Sequence, residues 1–168
     1  MYQEQINAYW SDPARREELE TCAAVVRESF ATVAPQYGIT RESAPRHTSF
    51  LSADRLREQY ARGEPLYVYE LRGRIVGYCS LSPGSGPHCR ELNHLAVLPA
   101  CRHQGVGRAL VQHAVQQARA LGCTRLEIGI IEENTLLKSW YLKMGFVPTG
   151  TEKFDFFPFT CGYLELAL

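Results

Sequence analysis

Residues 98–110 read LPACRHQGVGRAL, with Gly105 and Gly107 just ahead of a run that has helical spacing. A turn leading from a strand into a helix points successive backbone N–H groups outward at the positive end of the helix dipole. An anion binds there without needing a charged side chain. Glycine at two positions lets such a turn approach a bulky diphosphate closely, because no Cβ intervenes. From Leu92 to Leu126 there is no Asp or Glu, while Arg102, Arg108, Arg119 and Arg125 all fall within that window. A solvated basic helix face is the plainer account of those arginines, but the acid-free window also encloses the turn where an anion would sit. The chemistry this pattern suits is the binding of a phosphate-bearing cofactor.

Three cofactors compete for the turn. A nucleoside-triphosphate loop needs Lys-Ser or Lys-Thr after the second glycine, and Arg108-Ala109 stands there. A dinucleotide has Glu127 at a fitting distance past Gly107, but Leu110 occupies the third small position. The chain also has a single strand–helix–strand unit where two half-sites are needed. Coenzyme A is the third candidate.

The elements that must hold the turn are legible in the hydrophobic pattern. Ile6, Ala8 and Trp10 alternate weakly as a short first strand, and Asp12-Pro13 caps a helix expected from Pro13 to Ala34. Ser52 caps a second helix that Gly63 closes, with Leu51 and Leu56 placed for a hydrophobic staple. LYVYEL and RIVGYCSL, separated by Arg72-Gly73, form a hairpin. ELNHLAVL is a third strand, and Val106 to Leu121 a long helix closed by Gly122. RLEIGII is a further strand, Asn134 to Met144 a short helix, and the tail offers strands near Phe146–Thr149 and Thr160–Ala167. The fold class is α/β: a single domain over residues 1–168, built on one mixed sheet flanked by helices.

Composition narrows the function further. The 168 residues are 45% hydrophobic and 11% aromatic, with 18 basic and 18 acidic side chains balancing to zero, so no global charge draws the chain to nucleic acid or to a membrane. MYQEQINAYW carries neither a basic start nor a long apolar run, and no stretch approaches the ~20 apolar residues of a membrane span. A cytoplasmic location is expected. The six cysteines lie singly and are read as reduced thiols. Cys89, Cys101, His88, His94 and His103 match no zinc spacing, so no metal site is expected.

Val97-Leu98-Pro99 followed by Arg102-x-x-Gly105-x-Gly107 resembles the acyl-CoA-binding motif of the GNAT superfamily of N-acyltransferases. Asn134, seven residues before Tyr141, and then Tyr141-Leu142-Lys143-Met144-Gly145-Phe146 is similar to that superfamily's second motif. The likeness covers about residues 13 to 168 and departs from the family at the faint first strand. It implies acetyl-CoA as cofactor, its pyrophosphate cradled by the N–H groups of His103, Gln104, Gly105, Val106, Gly107 and Arg108, beside Arg102. It further implies that Leu95 and Val97 hydrogen-bond the pantetheine arm where two strands splay apart, and that Asn134 contacts the cofactor. A homodimer would be in keeping with the family.

Acetyl transfer from a thioester to an amine poses two proton problems. An alkyl ammonium, with a pKa near ~10, must lose a proton before it attacks, and the departing thiolate is helped by an acid. Tyr141 matches the family's general acid. Glu91 matches the base used by the histone-acetylating and related members, and by alternation Glu91, Asn93, Leu95 and Val97 would share one strand face. Glu132 and Glu133 are weaker candidates, better read as helix-start charges. No covalent intermediate is required. FDFFPF at 154–159 and QYGITRESAPRHTSF between the first helices would wall the site of a small-molecule or peptide amine acceptor, with Asp155 available to an ammonium. FDFFPF favours a bulky or apolar acceptor. The alternative is a non-catalytic acyl-CoA-binding module.

Overall fold

The structure, a computed structural model, describes the backbone of residues 5–9 and 13–168 and the side chains from residue 16 onward. The expected roles of Trp10 and Asp12 lie outside the described residues. β1 (Gln5–Tyr9) pairs antiparallel with β2 (Leu66–Leu71) at the sheet edge, so the weak first alternation does mark a strand. β2 and β3 (Arg74–Pro83) form the expected hairpin, with φ of +53° at Arg72 and +76° at Gly73. Positive φ at both central residues lets the turn follow the strands' right-handed twist.

The first helix is shorter than the periodicity suggests. Residues 13–18 form a 3-10 turn, α1 runs Leu19–Ala31, and a second 3-10 turn spans Ala34–Tyr37. The carbonyl of Ser29 explains the early stop: it accepts the Thr32 hydroxyl at 3.0 Å and the Arg102 guanidinium at 2.7 Å. Val33 N–H therefore turns to Phe30 O at 3.0 Å, and Pro35 has no N–H to carry the helix on. α2 (Ala53–Ala61) begins as expected, the Ser52 hydroxyl accepting Arg55 N–H, with Leu51 and Leu56 fully buried.

β4 (Cys89–Val97), α3 (Val106–Ala120) and β5 (Arg125–Ile131) make the single parallel crossover. α4 (Thr135–Lys143) follows, then β6 (Val147–Lys153) and β7 (Thr160–Ala167), β7 inserting between β5 and β6. The seven-stranded sheet has the order β1-β2-β3-β4-β5-β7-β6, parallel only at β4–β5. α1 packs on β3 and β4 and α3 packs on β2 to β4, the two helices covering opposite faces of the sheet. The main core holds Leu19, Val26, Leu66, Tyr78, Leu81, Leu110 and Leu126, all at 0% exposure. A smaller cluster, Ala34, Ile39, Ala44 and Phe159, joins the α1–α2 connection to the β6–β7 loop. Among the described residues, no helix is long and apolar enough to cross a membrane.

Candidate active site

The parallel pairing of β4 and β5 is short. It covers Cys89↔Arg125, Arg90↔Leu126 and Glu91↔Glu127, and past that rung the two strands part. A β-bulge lies in the open stretch. Asn93 pairs with Ser80 and Ala96 with Tyr78, so His94 and Leu95 together oppose Cys79 alone, and His94 takes a φ of +52°. A bulge of this kind bends its strand and ends regular pairing.

The extra residue corrects one expectation. Glu91 and Asn93 pair with Ser82 and Ser80, whereas Val97 pairs with Gly77, which is of the opposite parity on β3. Glu91 and Val97 therefore point to opposite faces, and the shared face inferred from simple alternation does not hold. A bulge leaves no mark in a period-2 pattern, and this one rests on a histidine rather than on the glycine that would have flagged a positive φ.

The glycine turn sits at the mouth of the opening. Pro99–Cys101 is one 3-10 turn, His103 and Gly105 have φ of +61° and +85°, and Gly105 caps α3. Nothing lies within 4 Å of a Cβ built on Gly105, so its left-handed backbone is what demands glycine there. At Gly107 a Cβ would meet the Trp140 ring at 3.4 Å. This bare spot seats α4 against α3 as well as leaving the first helical N–H groups open. Gln104, Val106 and Arg108 lie in the same segment, and α3 carries no acid in its first turn.

Two expected cofactor contacts are engaged within the chain. Arg102 turns its guanidinium to α1, reaching Thr32 Oγ1 at 3.0 Å and Ser29 O at 2.7 Å. Val97 N–H donates to Ser29 Oγ at 3.3 Å. Both contacts tie the turn to the end of α1, a role that spacing alone could not reveal. Asn134 caps α4, its Oδ1 accepting Leu137 N–H at 3.2 Å, which leaves the amide NH2 as its donor group.

Tyr141, in α4, is 5% exposed and packs edge-on against Trp140 and Phe146 at 4.9 and 5.3 Å. Burial, helped by neighbouring Cys79, pushes its hydroxyl above the usual phenol range. Cys79 pairs with Tyr67, which stands edge-on against His113 of α3 at 4.8 Å, so Tyr141 belongs to the α3 side of the sheet. Glu91, paired with Ser82, belongs to the other side. It lines a cavity of about 320 Å³ with Ser85, Glu127, Ile128, Thr149, Tyr163 and Leu164. Burial first, then the charge of Glu127, raises its carboxyl above the usual range. Glu127 itself is lowered: burial opposes ionisation, but hydrogen bonds from Ser85 and Cys89 and the nearby Arg125 outweigh it.

Glu132 is paired with Lys138, and the Glu133 carboxylate accepts Thr160 N–H at 3.0 Å, so both are committed to local structure. Among the described residues, no group of three or more His, Cys, Asp or Glu could hold a metal ion. The two expected pocket walls do meet. Phe157 stacks on Phe159 at 4.9 Å, Phe159 stands edge-on to His47, and Pro158 faces Gly38. A cavity of about 380 Å³ lies between them, lined by Glu42, Ser43, Ala44, Pro45, Arg46, Phe156 and Phe157. Asp155 stands exposed on the same loop.

The structure thus sets an α/β sheet opened between two parallel strands beside a glycine turn that heads a helix, whose N–H groups suit an anion. Residues 28–146 match the family model described as Acetyltransferase (GNAT) family, and the chain belongs to that family. The sequence is 32% identical over 130 residues to an amino-acid acetyltransferase of Pseudomonas putida, covering 77% of this chain and 29% of that one. This chain thus spans under a third of that relative's length. An uncharacterized N-acetyltransferase of Mycobacterium tuberculosis is 29% identical over 147 residues, covering 82% of this chain and 88% of its own. Among solved structures, the PaiA N-acetyltransferase of Thermoplasma acidophilum, in complex with coenzyme A, superposes with a TM-score of 0.75 at 20% identity. That match covers 99% and 100% of the two chains.

Proposed function

We propose that the protein transfers the acetyl group of acetyl-CoA directly to a primary amine. The observation that carries this reading is the opening itself. Among the described residues, the β4 edge beyond Glu91↔Glu127 has no strand partner, and the glycine turn stands at its end. Backbone groups at Leu95 and Val97 would hold the pantetheine arm there, Val97 through its carbonyl or by displacing Ser29. The N–H groups from His103 to Arg108 would hold the pyrophosphate. The reading is supported by relatives whose names specify acetyl transfer and by a coenzyme A complex of the same fold.

The acid and the base work from opposite faces of the sheet. The amine reaches the thioester from the Glu91 side, and Glu91 takes its proton. The amine nitrogen bonds to the acetyl carbon, the carbon–sulfur bond breaks, and Tyr141 gives its proton to the leaving thiolate. The nitrogen sheds its second proton to solvent as the amide forms, and the phenolate takes a proton back from solvent. A phenol held neutral by burial suits the second step, and a carboxylate of raised pKa is a stronger base for the first. The apolar cavity between the α1–α2 connection and the β6–β7 loop favours an acceptor with an apolar part.

The test is acetyl-CoA-dependent thiol release across an amine panel, with Tyr141→Phe beside the wild type. Turnover that falls at least tenfold in the variant, with acetyl-CoA affinity kept, supports the reading. Full turnover in the variant would remove Tyr141 from the chemistry. Acetyl-CoA binding without turnover of any amine would favour a non-catalytic acyl-CoA-binding module.

A further inference from the structure

The proton chemistry leaves the acceptor unspecified, and a cluster on the Glu91 side of the sheet bears on it. Arg46 and His47 lie in the α1–α2 connection just before its 3-10 turn Thr48–Phe50, Arg55 lies in the first turn of α2, and His94 comes from the β4 bulge. Arg55 donates from Nη1 to the Arg46 carbonyl at 3.1 Å, which sets two arginines side by side. Burial and then the Arg46 charge lower the Arg55 pKa, and Glu58, the acid that opposes them, has the smallest effect of the three. His47 is pinned by Ser49, whose N–H it accepts at 3.1 Å, and is wedged between Phe30 and Phe159.

His94 is the member that the chain leaves incomplete. Its backbone is held in the left-handed region, and its Nδ1 is buried without a hydrogen-bond partner. Arg55 and His47 are the charged and titratable groups that bear on it, and both disfavour its protonation after burial has done so. A buried polar atom without a partner, beside an arginine on which a second arginine weighs more than the one opposing acid, is a place where an anionic acceptor would be held.

We propose that this cluster binds the carboxylate of an α-amino-acid acceptor, Arg55 supplying the guanidinium and His94 an N–H at Nδ1. The inference rests on the acetyl-transfer reading and names the substrate class of that site. A carboxylate adds negative charge beside the two arginines and accepts both donors at once, whereas a neutral amide answers only one of those needs. His94 directly precedes Leu95 in the opening, and a single carbon separates a carboxylate from its α-amine. Binding here therefore presents the amine at the parted strands. Arg46 also lines the apolar cavity beside Phe156 and Phe157, which gives the acceptor's side chain an apolar wall.

The experiment pairs each of the twenty amino acids with its α-carboxamide in acetyl-CoA-dependent thiol release, using wild type and Arg55→Gln. At least one free amino acid should exceed its amide tenfold or more in kcat/KM. Arg55→Gln should raise KM for that amino acid at least tenfold, leave the amide within twofold, and leave acetyl-CoA affinity unchanged. Arg55→Lys should restore part of the loss. NMR titration of the His94 imidazole gives a readout independent of turnover: its pKa should rise when the amino acid is added and stay fixed with the amide. Equal use of acid and amide, turnover confined to amines without a carboxylate, or an unmoved His94 would overturn the inference while leaving acetyl transfer standing. Failure of acetyl-CoA to bind would strike the underlying reading instead.

Discussion

Glu91 and Glu127 face each other across the last rung that β4 and β5 share, so the point where the strands part is marked by two carboxylates on one face of the sheet. They do not ionise alike. Glu127 is stabilised as an anion by Ser85, Cys89 and Arg125, and its charge adds to burial in raising Glu91. Neighbouring carboxylates pushed apart in this way are one recognisable arrangement for proton transfer.

The pH profile follows from that pair. As the proposed base, Glu91 would have to be ionised to act, so kcat/KM should rise with pH through its raised pKa. Glu127→Gln removes the neighbouring charge and should move the acidic limb to lower pH, while Glu91→Gln should remove the limb and cost about 10²-fold in rate. Steady-state profiles of the three proteins check this, and an unmoved limb in Glu127→Gln would dissociate Glu127 from the base. The stability sign is also set. A carboxyl whose folded pKa is raised contributes stability below its unfolded pKa and loses it as pH rises through the folded value. Glu91→Gln should therefore melt higher than wild type at pH 7.5, with the difference shrinking toward pH 4.

The two histidines set a second pH dependence. Burial lowers His47 to about 4, and burial with Arg55 and His47 lowers His94 to about 4. A histidine kept neutral in the fold but protonated when unfolded loses its stabilising contribution as pH falls from the unfolded value toward the folded one. Denaturant unfolding should therefore show stability dropping by roughly 1–3 kcal/mol between pH 6.5 and pH 4. His94→Gln should flatten that slope.

Arg102 offers a sharp contrast between motif and structure. By its place in the motif it accompanies the cofactor turn, yet its guanidinium closes the end of α1 through Ser29 and Thr32. Arg102→Ala should cost about 1–3 kcal/mol of stability by removing charge-assisted hydrogen bonds. Its acetyl-CoA affinity, measured on folded protein, should fall less than that of Gly107→Val. A tenfold or greater loss of affinity without loss of stability would return Arg102 to the cofactor.

Much of this fold was legible because its elements carry strong local signals. Ser52 with Leu51 and Leu56 marks the start of α2, Arg72-Gly73 marks the hairpin, and Gly105 with Gly107 marks the head of α3. What escaped was non-local. The length of α1 depends on Arg102, seventy residues from Thr32 along the chain. The face that Val97 presents depends on a bulge formed by His94 against Cys79. The Gly107–Trp140 contact joins two helices that no periodicity connects. The candidate residues Glu91 and Tyr141 come from motif spacing, but their division between two faces of the sheet is a property of pairing register.

The most direct test of the central claim is a calorimetric titration of acetyl-CoA into wild-type protein and into Gly107→Val, with folding of both checked by circular dichroism. A Cβ branch at 107 would press on the Trp140 ring and crowd the N–H groups at the head of α3. Saturable one-to-one binding to the wild type, weakened at least tenfold in a folded Gly107→Val, is the result expected. No detectable binding to folded wild-type protein, or equal binding by both, would contradict the assignment of the glycine turn to the cofactor.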